Sequence, residues 1–412
     1  MGGSAFSNKG IQTPRMDPKT YYALKTKYHN ILLTLYEHVT TPPEAPEKTS
    51  HGDLDYLVAG PRVHGGVEVR MGDVKVAFGA EYMTAISGAT TSFAVLLPEE
   101  ESQGGEEKGE GEEEGKPYAQ IDVHVCPSAE NMHWVSFKHA YGDFWSILGM
   151  MCRAKGLVAD EKCLNLRVRE IQDHNRELAK IELTRSVSET LEFCGLDAGK
   201  YEKGFECVKE VYEYLAESRF FEEGYFKEKK FANASDRSKV GKRDMMRGWF
   251  TFLGVDIALI GKIEGGQKGD DGDTKLEEKS TKEEEEIRES GARTPEWGLT
   301  REQVLEEALE RFDKRPAYEE KLAAWRKDLT IATVLRGFKK TLIDGGHSGE
   351  RSARKKASVL RKRIEEGEMD EVFDMTEEQI KAFIEARVNE LVQNNANNTS
   401  ADAVGGVAAV RP

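Results

Sequence analysis

The chain has 412 residues, of which 38% are hydrophobic and 32% charged, as is typical of a globular protein with two or three domains. Of its net charge of −15, residues 99–115 (nine Glu, one Lys) supply −8 and residues 264–291 (eleven acids, five bases) supply −6, so a polyanionic partner is not excluded. Five cysteines without CxxC spacing argue against a disulfide framework or a zinc site. No apolar run approaches the roughly 18 residues of a membrane span, so we expect an intracellular protein, cytoplasmic or nuclear, with no membrane partner.

The first predicted helix begins after Asp17, a favourable N-cap that precedes Pro18 at the first helical position. Apolar residues then recur at helical spacing from Tyr21 to Leu35, which predicts one buried face. The helix should end before the proline-rich residues 40–46, because proline cannot continue it.

The next predicted element is a strand, Asp-Leu-Asp-Tyr-Leu-Val at residues 53–58, which opens after Gly52. Asp53 and Asp55 are two positions apart, so both carboxylates point to the same face of the strand. Two close carboxylates repel each other unless a cation lies between them, and hard oxygen ligands suit Mg²⁺. Taken alone, the pair fits an ordinary solvent-facing strand as well.

Residues 67–97 have the pattern of short strands, one of them at 74–78. The Glu- and Gly-rich residues 99–116 contain no apolar side chain and are predicted to be a disordered acidic insertion. A strand resumes at 118–125 with Asp122 on its polar face. If this strand neighbours the first aspartate strand, Asp122 supplies a third carboxylate.

The rest of the chain is predicted to be a helical domain at 161–262, a disordered acidic linker at 263–293, a helical C-terminal domain at 294–392 and a disordered tail at 393–412. Residues 351–363 hold seven bases in thirteen positions. They fit a nucleic-acid-binding stripe, with RNA as the partner, or an ordinary charged helix.

The segment Gly52-Asp53-Leu54-Asp55-Tyr56-Leu57-Val58, followed by Gln120-Ile121-Asp122-Val123, resembles the metal-binding core of the DNA polymerase β nucleotidyltransferase superfamily. A wider likeness, to uncharacterised fungal and phage-type members, is less specific. The resemblance implies an α+β fold: a nucleotidyltransferase palm with a small mixed sheet at residues 1–160, followed by a mostly α-helical C-terminal region. It also implies that Asp53 and Asp55 bind two Mg²⁺ ions, while Asp122 completes the metal site and favours the attacking hydroxyl as its alkoxide.

The family normally has a Gly-Ser pair about ten residues before the first aspartate, at a helix start whose N–H groups hold the triphosphate. In this chain residues 42–44, Pro-Pro-Glu, stand there. Gly3 and Ser4 have the right composition but lie far upstream, so they either fold back into the site or form a flexible N-terminus, and the second is favoured. Lys48 and Arg243 are further candidates for contacts with the NTP phosphates.

The sequence therefore predicts a Mg²⁺-dependent nucleotidyltransferase that moves a nucleoside monophosphate from an NTP to an unknown acceptor by two-metal in-line displacement. The acceptor is an RNA end, a protein or a small molecule. The alternative is a catalytically impaired protein of the same fold that binds nucleotides or RNA as a scaffold. Base preference and oligomeric state stay open.

Overall fold

The structure, a computed structural model, describes residues 3–98, 116–227, 234–255 and 298–404. The predicted insertion up to residue 115 and the predicted linker at 263–293 lie outside these residues. The chain divides into two compact units, Met1–Arg167 with Lys180–Asp313, and Val168–Ala179 with Lys314–Pro412. Residues 161–262, expected to form a separate domain, fall mostly in the first unit with the predicted palm.

The described strands are β1 (Tyr36–Thr40), β2 (Asp53–Pro61), β3 (Val63–His64), β4 (Val67–Glu68), β5 (Tyr82–Ser87), β6 (Thr90–Leu96), β7 (Tyr118–Val125), β8 (Leu157–Ala159), β9 (Leu164–Arg167) and β10 (Lys180–Thr184). The described α-helices are α1 (Pro18–Leu35), α2 (Met71–Phe78), α3 (Ala129–His139), α4 (Phe144–Ala154), α5 (Arg169–Gln172), α6 (Val187–Phe193), α7 (Ala198–Lys203), α8 (Val208–Ala216), α9 (Glu223–Lys227), α10 (Ala234–Lys242), α11 (Asp244–Phe252), α12 (Arg301–Arg311), α13 (Arg315–Asp344), α14 (Glu350–Glu365) and α15 (Glu377–Val404).

A five-stranded mixed sheet in the order β1-β2-β7-β6-β5 forms the centre of the first unit. β2 and β7 pair in parallel, and the other neighbours are antiparallel. The mixed sheet and the mostly helical C-terminal region confirm the predicted α+β fold. One face of β2 presents Leu54, Tyr56 and Val58, which are buried in a core with the apolar stripe of α1.

The opposite face of the sheet is covered at two ends and open between them. Helix α3 packs over Leu57 and Ala59 of β2. At the other end, Phe6 from the N-terminal arm (residues 3–13) is fully buried against Ala94 and Tyr118. The aspartates lie between these two covers because strand side chains alternate, and the acids share the face of Leu57 and Ala59.

Two predictions in the first 80 residues are wrong. The expected strand at 74–78 is the end of helix α2, where Val74 and Phe78 are buried four positions apart and Gly79 ends the helix in the left-handed region (φ 63°). Residues 36–39, expected to belong to the first helix, instead form β1 together with Thr40. In both places a short β-branched run was compatible with either structure, and packing against the sheet decided between them.

The region expected to be a helical domain contains a second sheet, of order β10-β9-β8. Its strands are three to five residues long. The alternation of Leu164, Asn165 and Leu166 spans less than one period of a helix, so its period of two is easily missed. Helix α6 begins after Ser186, whose hydroxyl accepts from the Glu189 N–H as N-cap.

The second unit contains α5, α13, α14 and α15. The last three helices share a core that includes Val334, Phe338, Leu360 and Ile384. Helix α15 extends to Val404, so the tail predicted to be disordered from residue 393 is helical over its first part, and residues 405–412 lie outside the described structure. Among the described residues, no helix is both long and apolar enough to cross a bilayer.

Candidate metal centre

The parallel pairing of β2 and β7 brings the three predicted aspartates together. In its register Asp53 lies opposite Gln120 and Asp55 opposite Asp122. One carboxylate oxygen from each of the three aspartates lies within 4.8 Å of the others. The structure thus assembles the predicted acidic triad from two strands that are far apart in sequence.

The N-terminal end of β2 is open on the side of β1, and this opening exposes the triad. β1 pairs with β2 only from Leu57 onward, opposite Thr40. The loop of residues 41–52 therefore passes the edge of β2 where Asp53 and Asp55 lie. This loop can supply side chains to the site that the sheet itself does not.

The triad is electrostatically unfavourable without a cation. Desolvation by the surrounding protein, followed by the charges of Asp53 and Asp122, raises the pKa of Asp55 to about 8, although its side chain is exposed. Burial, with a smaller contribution from Asp53, raises the pKa of Asp122 to about 6. Burial also raises the pKa of Asp53. Near neutral pH the three groups hold a proton or require a cation.

Two neighbours of Asp122 help to orient its carboxylate. The Gln120 amide donates to Asp122 Oδ1 at 2.9 Å. Ser92 lies opposite Asp122 on β6 and its hydroxyl is buried. This hydroxyl is near enough to Asp122 to lower the pKa of its carboxyl, but among the described residues it has no well-aligned hydrogen-bond partner. Three carboxylates with a nearby unpaired hydroxyl form a hard oxygen donor set, which fits a cation such as Mg²⁺.

The N-terminal arm folds back into the site, so the favoured expectation of a flexible N-terminus is wrong from Gly3 onward. The Gly3 N–H donates to Asp53 Oδ2 at 3.2 Å, and the Ala5 N–H donates to Gln120 Oε1 at 2.9 Å. Gly3 has φ +74°, and a Cβ there would lie 2.5 Å from the Gly52 carbonyl oxygen. Only glycine fits this position, because a side chain would meet both backbone strain and a clash.

The same arm borders a cavity of about 370 Å³ beside the triad. Ser4 lines it from the arm, Thr84 and Ile86 line it from β5, and Asp53 and Asp122 form its acidic wall. Gly3 and Ser4 were candidates for holding the triphosphate if the N-terminus folded back into the site. The structure places both at the site, but the Gly3 amide is bound to Asp53, so Gly3 positions a carboxylate.

Two lysines lie on the other side of the triad. Lys48 pairs with Glu44 at 2.6 Å and lowers the pKa values of Asp53 and Asp55. Lys25 of α1 is half-buried, and this burial lowers its pKa although Glu44 and Asp55 oppose the shift. The sequence indicated Lys48 as a candidate for this site but not Lys25, because a lysine on an amphipathic helix normally belongs to its solvated face.

His51 is a structural residue of the same loop. Its ring is fully buried and stacks on the Tyr21 ring with centroids 3.7 Å apart. Its backbone bridges Met16 in both directions, at 2.7 and 2.9 Å. These contacts fix the loop immediately before Asp53.

Arg243 is engaged elsewhere in the first unit. It pairs with Asp143 at 2.6 Å, and the Asp143 side chain is only 7% exposed. The predicted phosphate contact of Arg243 would have to compete with this pair.

The basic run on α14 is largely neutralised by its own neighbours. Four of its bases pair with acids in or just after the helix: Arg354 with Glu350, Arg361 with Glu365, Lys362 with Glu366 and Arg363 with Glu368. This pattern favours the ordinary charged helix, and the RNA-binding stripe remains a prediction.

Comparison with models of known protein families and with curated proteins finds no match to this chain. The assignment of function therefore depends on the geometry of the triad.

Proposed function

We propose that the protein is a Mg²⁺-dependent nucleotidyltransferase that transfers a nucleoside monophosphate from an NTP to an acceptor hydroxyl. The observation that supports the proposal is the in-register placement of Asp53, Asp55 and Asp122 on two parallel strands, with carboxylate oxygens within 4.8 Å. Burial, and to a smaller extent the mutual repulsion of the carboxylates, raises the pKa values of Asp55 and Asp122, as expected for a site that a cation would stabilise. A binding function for cations explains why such an arrangement is present.

Asp53 and Asp55 are assigned to hold the metal. Their carboxylates project from the first three residues of β2, where the Gly3 N–H donates a hydrogen bond to Asp53. When bound, two Mg²⁺ ions supply charge stabilisation at the attacking and leaving oxygens of an in-line displacement. The residues of the chain bind and orient, since phosphoryl-type transfer requires little covalent participation from protein groups.

Asp122 is assigned to complete the metal site and to accept a hydrogen bond from the acceptor hydroxyl. With a pKa of about 6 its carboxylate is mostly ionised at neutral pH and can accept a hydrogen bond from that hydroxyl. Gln120 holds one of its oxygens, so the other stays available.

Lys25 and Lys48 are assigned to the NTP phosphates. Both lie near enough to the triad to interact with Asp55 electrostatically, and they are placed on the loop side of the sheet. Lysine neutralises phosphate as a point charge without demanding a fixed geometry. Ser4, exposed at the rim of the cavity on the opposite side, offers a hydroxyl to the same nucleotide.

The test is transfer of label from α-³²P-NTPs, with Mg²⁺ or Mn²⁺, to candidate RNAs, proteins and small molecules. We expect Asp122→Asn to lower the rate by about a hundredfold or more, as for removal of one electrostatic group from an active site. Asp328→Asn, which changes an exposed acid on α13, should leave the rate unchanged. Transfer that is equal in wild type and Asp122→Asn would refute the proposed function.

A further inference from the structure

A second cavity, of about 530 Å³, lies in the first unit between helices α3, α6 and α7. Its volume is within the range of small-molecule sites. Three aromatic side chains line it, from Phe137, Tyr141 and Tyr201. Nothing in the acidic triad uses these rings.

The rings are held rigidly against one another. Tyr201 meets Phe137 edge to face with centroids 5.5 Å apart, and Tyr141 likewise at 5.6 Å. Tyr141 adopts φ +50°, which a non-glycine residue rarely takes, and its N–H donates to the Pro43 carbonyl at 2.7 Å. Preorganised rings lining a cavity suit a flat aromatic ligand that can stack on them.

The polar lining of the cavity includes the hydroxyls of Ser136, Ser186 and Ser188, the His133 ring, one guanidinium and two exposed carboxylates. Glu130 and Glu202 contribute carboxylates. The single guanidinium, that of Arg185, is already bound by both oxygens of Glu182 at 2.8 and 3.1 Å. The two carboxylates accept hydrogen bonds from N–H donors on the edge of a flat ring.

The cavity and the triad share the loop of residues 41–52. Pro43 lines the cavity, and its neighbour Glu44 is close enough to raise the pKa values of Asp53 and Asp55. One residue of this loop therefore borders the cavity while the next interacts with the triad.

We propose that this cavity binds the base of the nucleotide whose phosphates lie at the triad, and that it selects bases with an exocyclic amino group. The proposal depends on the proposed function, because that function places the phosphates. Adenine, cytosine and guanine present amino donors that a carboxylate accepts. Uracil carries O4 in place of an amino group, and a carboxylate cannot donate a hydrogen bond to that oxygen. ATP is therefore expected to bind more tightly than UTP.

The experiment measures ATP and UTP binding to the full chain by calorimetry, in EDTA and again with Mg²⁺. We expect Tyr201→Ala to weaken ATP binding about tenfold or more, in line with the loss of one stacking partner. Tyr201→Phe keeps the ring and should bind as wild type does. Tyr82→Ala, which removes an exposed ring on β5, is the matched control.

Because Tyr201 also packs against Phe137, a second variant leaves the rings in place. Ala198→Phe fills the cavity from α7 and should weaken ATP binding as Tyr201→Ala does. Glu130→Gln with Glu202→Gln should narrow the preference for ATP over UTP. Unchanged ATP binding in Ala198→Phe and Tyr201→Ala, or equal binding of ATP and UTP by wild type, would overturn the proposal.

The outcomes for the two proposals are distinguishable. Binding of ATP in EDTA that depends on Tyr201 and persists in Asp53→Asn supports the base site, even if no transfer is detected. Transfer that proceeds at the same rate and with the same ATP affinity in Ala198→Phe overturns the base site and leaves the proposed function in place.

Discussion

The acidic triad should destabilise the metal-free protein, and replacing Asp55 by Asn should relieve that destabilisation. Two ionised carboxylates 4.8 Å apart repel by about 1 kcal/mol in water and by about 3 kcal/mol at an effective dielectric constant near 20. Asp55 faces both Asp53 and Asp122, so its replacement removes two such repulsions. Because the Asp55 side chain is exposed, solvent screening places the total gain near the lower end, at about 2 kcal/mol.

The stability that Asp55→Asn gains over the wild type should increase with pH. The folded pKa of Asp55, about 8, exceeds the unfolded value of about 3.9, so between these values the folded protein binds more protons than the unfolded chain. The free energy of unfolding of the metal-free wild type therefore falls as pH rises from about 4 to about 8. Near pH 4 Asp55 is largely protonated in the folded state and the variant gains little. At pH 6 it gains part of the amount, because the unfolded chain has already lost its proton, and at pH 9 it gains the full amount.

The assay is denaturation of wild type and Asp55→Asn in EDTA at pH 6 and pH 9, repeated with Mg²⁺. Mg²⁺ should stabilise the wild type at pH 9, more weakly at pH 6 where it competes with protons, and much less in the variant. Asp328→Asn serves as the control for removal of an exposed acid. A variant that is less stable than wild type at pH 9 in EDTA, or one that Mg²⁺ stabilises as much as wild type, would refute the reasoning.

Two further predictions concern residues of the first unit. Gly3→Ala should lower both the melting temperature and the affinity for Mg²⁺, because its Cβ would lie 2.5 Å from the Gly52 carbonyl oxygen. Gly10 also has a positive φ (+70°) but has open space around it, so Gly10→Ala should cost only the backbone strain of about 1 kcal/mol. Equal effects of the two variants on Mg²⁺ affinity would contradict the role of the arm. Arg243→Met should lower the free energy of unfolding by about 1–3 kcal/mol, because it leaves the buried Asp143 carboxylate without its partner. Adding Asp143→Asn should recover part of the loss. If the double variant recovers no stability, the ion pair is not the cause.

Sequence patterns predicted the members of the triad because strand geometry is local. The two-residue spacing of Asp53 and Asp55 places them on one face of any strand, and Asp122 has a polar neighbour on each side at the same period. The parallel pairing that sets Asp55 opposite Asp122 is a contact between distant segments. No local pattern encodes that register, so the sequence supported a third carboxylate but not its position.

The sequence did not predict the contacts of Gly3 and Lys25 either, because they too join segments that are distant in the chain. Gly3 meets Asp53 across fifty residues, and its composition alone fits a flexible terminus equally well. Lys25 lies four residues after the buried Tyr21, so helical periodicity places it beside the buried face of α1, but a lysine is ordinarily assigned to solvent. Helix α2 shows the converse, since Val74 and Phe78 carried a four-residue spacing that the run of β-branched residues concealed.

The contacts that fix Asp53 and Asp122 link distant segments of the first 125 residues, so metal binding and folding are coupled. Asp53 is held by the arm at Gly3, Asp122 by Gln120, and Gln120 in turn accepts from Ala5 of the same arm. The arm is anchored by Phe6 in its own small core. Because one segment supports both strands of the site, loss of the arm would release both ligand carboxylates at once. A cation that binds all three aspartates therefore stabilises the docked arm as well, and metal affinity and arm docking must rise and fall together.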